Sequence, residues 1–168
     1  MFRDTLRCEV YVRDDTYGTF DAQQSVLERI RRLDDEGVFD AAGVESTWDR
    51  VSIREDEVRD DALATYEEFR DWAAANDFSL EPAFDTRPRY VRGTTERTEA
   101  VVFPVVAMAI YRDDELRAVL PSSDEFDHYT VHEALEGFER EDIERWLSRF
   151  TGVTVERSGP RIAGTTEL

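Results

Sequence analysis

Few side chains in this sequence are of a type that does covalent or metal chemistry, and their spacing separates them. Cys8 is the only cysteine, which excludes a disulfide within the chain and any multi-cysteine zinc site. It lies in an alternating segment, Thr5 to Arg13. Leu6, Cys8, Val10 and Val12 share one side of it, and Arg7, Glu9, Tyr11 and Arg13 the other. On that apolar side a thiol is packed and inert, whereas thiol redox catalysis needs an accessible thiolate and usually a resolving partner. His128 and His132 have the i, i+4 spacing that binds a metal when both lie on one helix face, with Asp127, Glu133 and Glu136 close by. Thr130-Val131-His132-Glu133 reads as a capping box, however, so the helix starts after His128 and the spacing loses its geometry. Ser122-Ser123-Asp124 reads as a polar loop with no nucleophile elbow and no histidine base placed beside it. Gly18, Gly37 and Gly43 are too scattered for a phosphate loop. Carboxylates are so numerous that no pair stands out as acid and base. No catalytic, cofactor-binding or metal-ligating residue is assigned, no cofactor is expected, and the expected role is non-catalytic.

The basic side chains are better grouped. Arg29, Arg31 and Arg32 form one set, Arg87, Arg89, Arg92 and Arg97 a second, and Arg140, Arg145 and Arg149 recur along the last helical segment. A helix-turn-helix needs two helices joined by about three or four residues, the second presenting side chains to the major groove. The last two helical segments, divided around Gly137 to Glu141, fit that spacing best. Glu139, Glu141, Asp142 and Glu144 crowd the same region and oppose phosphate. Arginines paired with a carboxylate coat are therefore weighed above DNA contact. The expected partner is a protein or small ligand, with DNA the alternative. Whether Trp146 and Phe150, read as exposed apolar groups, form a homodimer contact is left open by the sequence.

Charge dominates the composition. Thirty-nine acidic residues face 21 basic ones for a net charge of −18, and every basic residue is arginine. Ordinary small domains carry a net charge of about 2–8 in magnitude. A carboxylate-dense surface without lysine fits a protein working in molar salt, where the Debye length is about 3 Å and self-repulsion is screened. No apolar run approaches the roughly 18 residues of a membrane span. The N-terminal residues have no secretory h-region, so a cytoplasmic protein is expected.

The elements that must position these residues follow from periodicity. After the first strand, a helix is predicted from about Asp21 to Glu36, capped by Gly37. A second strand follows over Gly43 to Ile53. A second helix runs from about Asp60 to Asn76, with Leu63, Tyr66, Phe69, Trp72 and Ala73 on its apolar face. Residues 78–97, with Pro82, Pro88 and Gly93, read as a short strand around Leu80 to Phe84 and then a loop. The longest apolar run, Val101 to Tyr111, reads as a strand buried on both faces, turning at Arg112-Asp113-Asp114-Glu115 into a second strand that ends at Leu120. A polar loop, a helix to about Phe138 and a fourth helix from about Glu141 to Phe150 complete the pattern. Val153-Thr154-Val155 reads as an edge strand.

The expected fold class is α/β: a single domain over residues 1–157 with a mixed sheet, helices on both faces and an extra C-terminal helix, and a loose tail over 158–168. Its β-α-β-α-β-β-α order resembles the thioredoxin-like fold, with Phe103-Pro104-Val105 where that fold carries a cis-proline but no cysteine pair. A ferredoxin-like sheet is the alternative. A second resemblance covers residues 5–140. It rests on Arg-Leu-Asp-Asp-Glu-Gly (32–37), Phe-Arg-Asp-Trp-Ala (69–73) and Ser-Leu-Glu-Pro-Ala-Phe (79–84), then Val-Phe-Pro-Val-Val (102–106), Ile-Tyr-Arg-Asp-Asp-Glu-Leu (110–116) and Tyr-Thr-Val-His-Glu-Ala-Leu (129–135). These resemble a family of small acidic haloarchaeal proteins labelled helix-turn-helix domains. The resemblance implies salt adaptation and regulation rather than a reaction.

Overall fold

Alternation at the start of the chain builds strand β1, Leu6–Arg13, and the 3.6-residue spacing of Val26, Ile30 and Leu33 builds helix α1, Phe20–Asp35. The computed structural model describes residues 5–13, 20–48, 51–53, 61–90, 93–95, 97–140, 142–148 and 150. Helix α1 stops where expected. Gly37 takes φ +81°, and the Val38 amide donates back to the Leu33 carbonyl at 3.0 Å, closing the last turn. Strand β2 (Ala41–Trp48), strand β3 (Val51–Ile53) and helix α2 (Asp61–Ala75) follow. All five residues of the predicted apolar face of α2 are buried.

Strands β4 (Asp85–Tyr90), β5 (Arg97–Val102), β6 (Val106–Arg112) and β7 (Glu115–Leu120) come next. Then a small hairpin, β8 (Ser122–Ser123) and β9 (His128–Tyr129), leads into helices α3 (Val131–Arg140) and α4 (Ile143–Leu147). The larger sheet has the order β2-β1-β6-β7, with β1 parallel to β2 and the other pairings antiparallel. This is a mixed α/β sheet, as expected, and the parallel pair excludes the wholly antiparallel ferredoxin-like alternative. Helix α2 covers one face, where Phe69 meets the Tyr11 ring edge-on at 5.6 Å and Tyr111 donates to Glu68 at 2.9 Å. Leu6, Cys8 and Val10 are buried on the opposite face, the side of α1 and α3. Both faces being covered explains why Tyr11 is buried although its strand position had pointed to solvent.

Three expectations are corrected. The run Val101–Tyr111 is not one strand: it crosses from β5 to β6 at Phe103-Pro104-Val105, and β5 belongs to a separate sheet of order β3-β5-β4. Proline lacks the N–H that an interior ladder needs, so the chain changes sheets there. Phe103–Pro104 is trans, and the cis bonds among the described residues are Glu81–Pro82 and Leu120–Pro121. The proline feature that carried the thioredoxin-like resemblance is therefore missing. Instead, the Pro104 carbonyl accepts from the Trp48 indole at 3.4 Å, while the Phe103 ring stacks on Trp48 at 4.5 Å. The predicted strand Gly43–Ile53 is likewise divided, β2 in one sheet and β3 in the other.

Second, the irregular segment after Leu80 is ordered in pairs. Residues 81–83 form the turn, and the predicted loop contains β4 paired with β5 from Asp85↔Val102 to Tyr90↔Arg97. Pro88 is tolerated because β4 is an edge strand. Third, Trp146 and Phe150, 3% and 0% exposed, are core residues rather than a dimer contact. Their rings lie 4.7 Å apart, and Phe150 stacks on Phe78 at 5.1 Å. The edge strand and tail expected beyond Thr151 lie outside the described residues, as do Arg92 and Arg149.

Candidate nucleic-acid interface

The residues that sequence reasoning placed together for metal chemistry are held apart. His132 is on α3, where its Nδ1 lies 3.1 Å from Arg29 Nη1. His128 is on β9, where Nδ1 lies 2.6 Å from Ser123 Oγ. The capping box forms as predicted: the Glu133 amide donates to Thr130 Oγ1 at 3.0 Å, and the Thr130 amide donates to Glu133 Oε1 at 3.3 Å. No cluster of three or more His, Cys, Asp or Glu fit for a metal occurs among the described residues.

Cys8 is 1% exposed, and burial, reinforced by Glu9 and Asp34, pushes its thiol far above the ordinary range. A thiol held protonated is a poor nucleophile.

The Ser123–His128 contact corrects the expectation that no histidine stands beside this loop. Ser123 and His128 face each other across the β8–β9 pairing, five residues apart. The signal was present as a polar turn, Asp124 to Asp127, between two short extended pieces. Asp124 is spent on that turn: Oδ1 accepts from the Phe126 and Asp127 amides at 2.8 and 2.7 Å, and Oδ2 from Tyr129 at 2.9 Å. The carboxylate beside the histidine thus fastens a turn rather than orienting an imidazole, and the pair ties the hairpin together.

The arginines divide by what they touch. Several pair with the acidic coat, as expected: Arg7 with Glu9 and Arg87 with Asp85, both at 3.0 Å, and Arg112 with Glu144. The best-built pair joins α1 to α3. Arg29 grips Glu139 with both ends of its fork, Nε to Oε2 at 3.1 Å and Nη2 to Oε1 at 2.7 Å. That bidentate bond holds the Glu139 carboxyl below the usual carboxylate range, and Arg32 and Arg140 act on it in the same direction. The adjoining ends of α1 and α3 therefore bring Arg29, Arg32 and Arg140 near Glu139, with Glu136 acting on Arg29 and lying 3.8 Å from Arg140. Phe39 just beyond α1 meets Phe138 of α3 edge-on at 5.9 Å and fixes the two helix ends together. Arg31, Arg32, Arg140 and Arg145 are exposed.

The pair of helices expected to act as a helix-turn-helix has a different build. Gly137 is inside α3 rather than at its end, and only Glu141 and Asp142 separate α3 from α4. Asp142 caps α4 by accepting from the Glu144 amide at 2.9 Å. Helix α4 has five residues, about 8 Å of helix. Its Trp146 and Leu147 are buried, and Glu144 is tied to Arg112 of β6. It is a packed elbow, with Arg145 at its surface.

The second arginine group lies on the β4–β5 hairpin. Arg87, Tyr90 and Arg97 are exposed, and the Arg97 guanidinium stands 6.0 Å from the Tyr90 ring centre. Among the described residues no helix is long and apolar enough to cross a membrane.

Comparison with known proteins gives one family. The model of a family described as a helix-turn-helix domain matches residues 2–143. No curated protein and no solved structure matches the chain. The matched span takes in α1, α2, α3 and both sheets, and ends on the first residue of α4.

Proposed function

This chain belongs to the helix-turn-helix domain family matched over residues 2–143, and from that premise we propose that it is a DNA-binding regulatory protein. The observation that carries the reading is the gathering of Arg29, Arg32 and Arg140 at the adjoining ends of α1 and α3. Arg29 is committed to Glu139, whereas Arg32 holds no ion pair among the described residues and Arg140 makes only a loose contact of 3.8 Å with Glu136. These guanidinium groups are available to phosphate oxygens, which they fit bidentately. The surface as a whole is acidic and repels DNA, so contact relies on Arg32 and Arg140, the guanidinium groups of this cluster that Glu139 does not hold. The acidic coat serves a protein working in the concentrated salt of a cytoplasm, where counterion release contributes less to affinity. The expected role thus moves from a protein or small-ligand partner to DNA.

The test is retention of genomic DNA fragments by the intact chain across a KCl series from about 0.1 to 2 M, with log affinity plotted against log salt. The expected result is salt-dependent retention that weakens at least tenfold in R32E/R140E, with an unchanged unfolding curve. A wild-type chain that retains no DNA at any salt overturns the reading and leaves a protein or small-molecule partner.

A further inference from the structure

We propose that the outer half of the β4–β5 hairpin is a β-ribbon that enters the major groove of DNA, with Arg87 at its base and Arg97 toward its tip, on opposite faces, meeting phosphates on the two groove walls. The proposal rests on the DNA-binding reading above and assigns a contact that the helices do not make.

Between residues 87 and 97 the chain has four arginines against one glutamate, in a protein whose net charge is −18. Register decides where Arg87 and Arg97 point. Ala100 to Val102 of β5 are paired on both sides, with β3 and with β4. Farther out, Pro88↔Glu99, Arg89↔Thr98 and Tyr90↔Arg97 are two-stranded among the described residues. Successive residues of a strand face opposite ways. Arg87, opposite Ala100 at the base, therefore lies on one face, while Tyr90 and its partner Arg97 share the other. Glu99, opposite Pro88, stands toward the base.

Folding does not account for this ribbon. A lone two-stranded hairpin is marginal in water without a hydrophobic face. Here Ala100 and Val101 at the base are buried, but Tyr90 near the tip is 69% exposed and Gly93, Thr94 and Thr95 are all exposed. Among the described residues, no apolar payload holds the outer half down. Tyr90 and Arg97 are large aromatic and cationic side chains in a region that stability would leave short.

Distance explains how an acidic protein could use it. Three further strand pairs at about 3.4 Å each carry the tip about 10 Å beyond the sheet. The Debye length at physiological salt is about 8 Å, so phosphates at the tip are screened from the carboxylates of the body. The major groove is about 12 Å wide and admits a two-stranded ribbon, whereas the minor groove, about 6 Å wide, does not. Arg87 retains free N–H groups beyond its Nε bond to Asp85, and Arg97 is held by Tyr90 alone among its described neighbours.

The experiment compares the intact chain with R87A/Y90A/R97A and with R87K/R97K on the DNA retained by the wild type. Two lost phosphate contacts lower the salt slope by about 1.8, since each contributes about 0.9. The alanine variant should show that loss, together with loss of guanine N7 protection from dimethyl sulfate, a major-groove signature. The lysine variant keeps both charges and should keep the slope. Equal slopes and equal N7 protection for wild type and alanine variant overturn the ribbon while leaving DNA binding intact. A wild type that binds no DNA overturns the underlying reading, and the ribbon with it.

Discussion

Arg29 and Glu139 show how a residue pair can be strong in geometry and modest in energy. The two guanidinium bonds, at 3.1 and 2.7 Å, cross between helices and depress the Glu139 carboxyl. A group whose folded pKa is lowered contributes stability above its unfolded value, near the ordinary 4.5, and loses it as pH falls through the folded value. Acid unfolding of the wild type should therefore carry a contribution below about pH 4.5 that Glu139→Gln lacks. At neutral pH the same substitution should cost about 1 kcal/mol or less, because the pair is partly exposed to solvent. Coincident acid-unfolding curves for wild type and variant would show the pair to be energetically idle. Single residues were unevenly legible in sequence. Cys8 could be placed in the core because alternation across a strand is a local property. Ser123 and His128 could not be paired, because their contact depends on which residues of a two-residue strand face each other. Arg29 and Glu139 are 110 positions apart, and nothing in either neighbourhood points to the other.

At the scale of elements, the meeting of α3 and α4 turns on one glycine. Gly in a helix interior costs about 1 kcal/mol relative to Ala, yet Gly137 sits well inside α3. A Cβ there would overlap the Trp146 indole at Cδ1 and Nε1. Trp146 is 3% exposed and its ring lies 5.0 Å from Phe138 and 4.7 Å from Phe150, so it has little room to yield. Gly137→Ala should therefore destabilise the protein by about 1–3 kcal/mol, as overpacking does, despite the gain in helix propensity. An unchanged or raised unfolding midpoint would show that α4 is free to move away from α3. Thr130→Ala, which removes the hydroxyl that accepts from the Glu133 amide, should cost about 1 kcal/mol, measured by denaturant unfolding. The helices were legible because their signals are local: the capping box at Thr130, Gly37 after α1 and the apolar spacing of α2. Sheet membership was not. Pro104 looked like part of one strand from Val101 to Tyr111 and is a crossing between sheets, while Pro88 looked like a breaker and is an edge residue. A proline reports that one N–H is missing; only pairing reveals which side of a strand goes without it. The β4–β5 hairpin suffered the same limit, since its arginines were visible as a run in sequence but the strands carrying Arg87 and Arg97 were read as loop.

For the whole molecule, the dominant quantity is a net charge of −18 on 168 residues. Self-repulsion of that size opposes the compact state, and its range is set by salt. Raising ionic strength from about 0.1 M to 1 M shortens the Debye length from about 10 Å to 3 Å and removes most repulsion between neighbouring carboxylates. Salt also weakens the favourable pairs, such as Arg7–Glu9 and Arg87–Asp85, but exposed pairs contribute only about 0–1 kcal/mol each. Repulsion acts on 39 acidic groups against 21 basic ones, so the screened repulsion outweighs the screened attraction. The core responds in the same direction only weakly, because KCl is a poor strengthener of apolar burial beside sulfate or phosphate. The melting temperature should therefore climb steadily with KCl, by roughly 5 °C or more between 0.1 and 2 M, where each kcal/mol is worth about 2–4 °C in a domain of this size. The same rise should appear with NaCl at equal ionic strength, since screening does not distinguish the two cations. A melting temperature that stays flat or falls across the series would mean that the acidic surface is not an adaptation to salt. The carboxylate coat would then need a cationic partner to explain it, and the case for arginine-led contact with DNA would weaken with it.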